Sequence, residues 1–142
     1  CIGSDRHILD SFGPLTGSLL KDKVAALDVY GTLEEPLHAR NLVSSINHIY
    51  RLHPARLEIA IDASLGRSGE VGLVELKSGG LIPGRALHKK LPLIGDISVL
   101  GKVGVLKGWG SHNTEEVRLG MVYRMARVIA DAIIQWERQQ GL

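Results

Sequence analysis

Short apolar runs alternate along this chain with stretches whose apolar residues recur at helical spacing, and this alternation restricts the fold to the α/β class. Residues 11–21 carry Leu15, Leu19 and Leu20 on one helical stripe, with Pro14 in the first turn, where its missing N–H costs little. The run at 24–30 predicts a strand that stops at Gly31-Thr32, and Pro36 is expected to open a helix through about Tyr50. Leu57-Glu58-Ile59-Ala60-Ile61 reads as a largely buried strand ending on Asp62-Ala63-Ser64 before the turn at Gly66-Arg67-Ser68-Gly69, with Asp62 the first residue past its apolar run. Two more strands are expected at 71–77 and 97–106, with a Gly/Pro-rich loop between them. Asn113 and Glu116 form a capping-box pattern ahead of Val117, Met121, Met125, Ile129, Ile133 and Trp136, which predicts a long amphipathic helix.

The expected architecture is a three-layer sandwich in one domain over residues 1–142, a mainly parallel sheet covered by helices on both faces. The opening strand is the exception. Only Cys1 and Ile2 precede Gly3, where a strand usually has about five or six residues. The reading therefore expects that strand to continue upstream of Cys1.

Composition narrows the function classes. Aromatic residues make only 4% of the chain, so Leu, Ile, Val and Ala must fill a core punctuated by 17 glycines. The formal charge of +2 comes from 17 basic and 15 acidic residues scattered along the sequence, which argues against a nucleic-acid partner. No run approaches the roughly 18 apolar residues of a membrane span, so no membrane association is expected. One cysteine, Cys1, allows neither an internal disulfide nor a zinc cluster, and a reducing cytoplasm is the simpler expectation.

In open α/β sheets ligands bind beyond the carboxyl ends of the strands, which selects Asp10, Gly31-Thr32 with His38 downstream, and Asp62. Two carboxylates that approach one another repel, and one pKa rises, leaving one base and one acid near neutral pH. Alternatively both stay ionised and hold a divalent cation with a histidine as third ligand. Simpler roles compete with these: Asp10 as a helix N-cap, Asp62 as a turn former at a strand end. The six histidines share no metal-ligand spacing. His38 lies near a strand edge, and His88 lies in the long basic loop that also holds Arg85, Lys89 and Lys90. The glycines form neither a Walker A nor a GxGxxG pattern, so no nucleotide cofactor is expected.

Several segments together resemble the YyaC-type sporulation protein family: Cys-Ile-Gly-Ser-Asp-Arg at 1–6, Asp-Ser-Phe-Gly-Pro-Leu-Thr-Gly at 10–17, Val-Tyr-Gly-Thr-Leu-Glu-Glu-Pro-Leu-His-Ala-Arg-Asn-Leu at 29–42, Ile-Ala-Ile-Asp-Ala-Ser-Leu-Gly at 59–66 and Leu-Pro-Leu-Ile-Gly-Asp-Ile-Ser at 91–98. Two of them, Asp10-Ser11-Phe12-Gly13-Pro14 and Ile59-Ala60-Ile61-Asp62-Ala63, are also similar to segments of the spore germination protease, a relative of the hydrogenase maturation proteases. That resemblance implies a phosphorylase/hydrolase-like fold and assigns Asp10 and Asp62 as a catalytic pair.

The expectation is thus a sporulation-associated peptidase with no cofactor, in which Asp10 and Asp62 activate water and Gly31, Thr32, His38 and His88 help seat a protein or peptide substrate. The alternative is a non-enzymatic sporulation factor that binds a peptide or protein partner through the same crevice. The residues leave homo-oligomer formation open.

Overall fold

The computed structural model describes residues 1–24, 26–83, 91–106 and 117–141. In chain order the elements are α1 (Phe12–Lys21), α2 (Leu42–Leu52), β1 (Ile59–Gly66), β2 (Val74–Ser78), β3 (Ile97–Val105) and α3 (Leu119–Gln139), with short 3-10 turns at Ile8–Asp10 and Ser68–Glu70. The class is α/β, as the alternation predicts. The sheet has β3 in the centre, with β1 parallel to it on one side and β2 antiparallel on the other. It is therefore mixed rather than mainly parallel: the apolar run at 71–77 returns along β3 instead of crossing over.

Alternation along the strands sorts the core into two faces. Ile59, Ile61 and Ala63 of β1 join Val99 and Val103 of β3, and α1 and α3 cover them with Phe12, Leu20, Val122, Met125, Ala126 and Ile134. Ala60 turns the other way and packs with Leu42 and Ile46 of α2, Ile2, Leu37, Leu81 and Ile94. Helices thus lie on both faces.

Residues 1–3 run along the free edge of β1. The Ile2 N–H donates to the Ile61 carbonyl at 2.7 Å, the Gly3 N–H donates to the Leu37 carbonyl at 2.9 Å, and Ile2 bridges Leu37 in parallel. The Cys1 nitrogen donates to the Tyr30 carbonyl at 2.8 Å. Glycine makes this close layering possible. A Cβ on Gly13 of α1 would fall on the Ile2 carbonyl oxygen, and one on Gly31, whose φ is +83°, would fall on that of Cys1.

Three expected elements differ. Described residues of 24–30 form no strand; the run is interrupted by Asp28 and its recorded backbone tie to the sheet is the Tyr30 carbonyl. Pro36 does not open a helix, because a φ near −65° suits extended chain as well as a first helical turn, and Leu37 is used to bridge Ile2. Helix α2 begins six residues later, after Asn41 has turned its side chain back to accept from the His38 N–H at 2.9 Å and donate to the Pro36 carbonyl at 3.0 Å. The third strand does not stop at Asp62-Ala63-Ser64; β1 continues to Gly66 because β3 pairs with it that far. The Asn113 and Glu116 cap lies outside the described residues.

Candidate functional site

Asp62 lies inside β1, opposite Leu100 of β3, and is only 6% exposed. By the two-residue period it shares the α2-side face with Ala60, so that face turns polar halfway along the strand. Asp62 Oδ1 accepts from the Ala63 N–H at 2.8 Å. Its pKa is pushed up to about 7, first by burial and then by the negative charge of Asp10.

Asp10 arrives from a different part of the chain. It closes the 3-10 turn Ile8–Asp10, which His7 caps by accepting the Leu9 N–H on Nδ1 at 3.3 Å. The Asp10 carbonyl accepts from the Ser4 N–H at 2.9 Å, tying the turn to the segment beside β1. Asp10 is not the α1 cap: Ser11 holds that position and makes no side-chain capping bond. The Asp10 carboxyl is raised above the ordinary aspartate range by partial burial, while His7, the Ser4 N–H and His38 pull it back. Its negative charge in turn opposes ionisation of Asp62.

His38, whose charge acts on Asp10, lines a groove of about 570 Å³ along the start of α2, together with Gly31, Thr32, Asn41, Ser45 and His48 among others. Neither Asp10 nor Asp62 lines it. Within it, His38 Nδ1 accepts from the Arg40 N–H at 3.2 Å, so the neutral ring carries its proton on Nε2. Thr32 is almost fully buried and its hydroxyl accepts from the Glu35 N–H at 3.1 Å, which shapes the groove wall. Gly31 is committed to the close approach of Cys1 described above. His88, like Gly84, Arg85, Lys89 and Lys90, lies outside the described residues; the loop that carries it closes at its base, where Leu81 and Ile94 exchange backbone hydrogen bonds of 2.9 Å. Among the described residues no group of three or more His, Cys, Asp or Glu side chains is arranged to hold a metal ion.

The sequence reading missed two polar residues further along that part of the sheet. Ser64 follows it on the same face of β1, and Lys102 stands opposite Ser64 on β3, its Nζ 3.5 Å from Glu75 Oε2 on β2. The signal was the strand period itself, hidden once Asp62-Ala63-Ser64 was read as the strand's end.

Comparison with known proteins bears on this arrangement. The sequence matches, over residues 1–132, a family described as "Protein of unknown function (DUF1256)". The chain belongs to the DUF1256 family. Both aspartates, His38 and all three strands fall within the DUF1256 match. The chain is also 40% identical over 141 residues to the uncharacterized protein YyaC of Bacillus subtilis (strain 168), an alignment covering 99% of this chain and 69% of that relative. No solved structure matches. Among the described residues of this DUF1256 member, no helix is long and apolar enough to cross a membrane.

Proposed function

We propose that this DUF1256 protein is a sporulation-associated peptidase of the cytoplasm, built on a germination-protease-like variant of the hydrolase sandwich, with a protein or peptide as substrate. The observation that carries the reading is the placement of a carboxyl inside a buried strand, 6% exposed, with its pKa lifted to about 7 by burial and by the charge of a second carboxyl. A purely structural aspartate gains nothing from such a position, since burial there penalises its ionised form.

The division of labour follows from the raised Asp62 carboxyl, which keeps its proton toward neutral pH. Asp62, with its pKa near 7, is the acid, and Asp10, whose negative charge helps to raise it, is the carboxylate. Asp10 takes a proton from water as the water oxygen bonds to the peptide carbonyl carbon. Asp62 gives its proton to the departing amide nitrogen as the C–N bond breaks, and an acid and an amine leave. His38 and the groove beside it seat the flanking peptide.

The test is incubation of the wild-type and Asp62→Asn proteins with spore protein extract, followed by mass spectrometry of peptide termini. Specific new termini with the wild type and none with the variant are expected. Stable co-purification of a protein by both forms, with no new termini, would overturn the peptidase and favour a non-enzymatic binder using the same crevice.

A further inference from the structure

Among the described residues Ser64 Oγ is a buried side-chain oxygen with no hydrogen-bond partner. A hydroxyl so placed has given up water without compensation, which costs the fold, whereas alanine would occupy the position at no such cost. Packing does not explain a serine here, but position does. Ser64 lies two residues beyond Asp62 on the same face of β1, about 7 Å further along the strand. It stands directly across from Lys102, whose side chain is 20% exposed. The ladder breaks immediately after it, with a register shift between Ser64 and Leu65, and such bulges redirect side chains next to reactive sites. It also lies toward the carboxyl end of β1, the end at which sheets of this class open to ligands.

We infer that Ser64 is a substrate-binding residue of the same site, its hydroxyl donating a hydrogen bond to the carbonyl oxygen of the peptide group presented to Asp62. This rests on the peptidase reading and specifies what the site recognises: an extended peptide backbone, held through its carbonyl rather than through a particular side chain. As water adds to the carbonyl carbon, negative charge gathers on that oxygen, so the Ser64 hydrogen bond strengthens in the transition state.

The experiment compares wild type, Ser64→Ala, Ser64→Thr and Asp62→Asn on the peptide found in the spore-extract assay, and also measures binding of N-acetyl-dialanine methylamide by nuclear magnetic resonance titration of wild type and Ser64→Ala. Removing one such donor typically lowers kcat by about a hundredfold or more, so Ser64→Ala should lose that much in kcat with only a several-fold rise in KM, and Ser64→Thr, which keeps the hydroxyl, should recover most of it. Thermal stability of Ser64→Ala should equal or exceed that of wild type, a result a structural role for the hydroxyl would not produce. The methylamide should bind wild type several-fold more tightly than Ser64→Ala. Full activity in Ser64→Ala alongside an inactive Asp62→Asn would overturn the Ser64 role and leave the peptidase reading intact. If no protein cleaves, the peptidase reading fails, and the titration decides Ser64 by itself: a preference for wild type supports it, while equal affinity or no binding to either overturns it.

Discussion

A single carboxyl on β1 makes the fold's stability depend on pH. Asp62 binds its proton more tightly in the folded chain, with a pKa near 7, than in the unfolded chain near 3.8. Between those values the folded state holds more protons, so stability falls as pH rises. The penalty is absent below about pH 4, grows through the window up to 7 and is complete above it. Asp62→Asn removes the ionisation while its side-chain oxygen still accepts from the Ala63 N–H. Thermal denaturation should therefore find Asp62→Asn more stable than wild type at pH 8, by an amount on the order of a few kcal/mol, and little different at pH 4. A variant equally destabilised at both pH values would show that the Asp62 proton is not coupled to folding. Asp62 was legible as a candidate because it follows Ile59-Ala60-Ile61, yet its setting was not. Aspartate is disfavoured in strands, so local propensity ends the strand where pairing with β3 carries it on to Gly66. That error concealed Ser64 and its cross-strand partner Lys102.

Helix α1 supplies the clearest constraint among the elements. Its register brings Gly13 onto the Ile2 carbonyl oxygen and Phe12 beneath the sheet, and this sets where the preceding turn delivers Asp10. Gly13→Ala improves helix propensity but overpacks that contact, and overpacking costs about 1–3 kcal/mol. Chemical denaturation should report a net loss, and the signals of Ser4 and Asp10 should shift. Unchanged stability would mean that α1 can retreat from the sheet without consequence. Helices α1 and α3 and strand β3 were readable because their apolar spacing coincides with the faces they bury, from Leu20 to Val103 to Val122. The segments at 24–30 and 36–41 were not, because their roles are set by residues 1–3. Leu37 is extended since Ile2 lies beside it, and a single sequence gives no sign of a partner so far away.

Across the whole molecule the two core faces are unequal. Phe12 is fully buried at the meeting point of α1, β3 and α3, with its ring against Gly101. Phe12→Ala should cost about 3–5 kcal/mol, a large share of the roughly 5–15 kcal/mol that holds a domain together. Guanidinium unfolding should place its midpoint far below that of wild type; a small shift would locate the main core elsewhere, on the α2 side. The ladder from Tyr30 through residues 1–3 to Ile61 has a different bearing, on the order in which the molecule assembles. Closing long loops carries an entropic penalty before distant contacts repay it. The turn bearing Asp10 is anchored through Ser4 to a segment that docks against β1, α1, Leu37 and Tyr30, so Asp10 meets Asp62 once contacts far apart in sequence have closed. The nearness of the two carboxyls thus hangs on an edge segment remote from β1 in sequence, and fraying of that edge would part them.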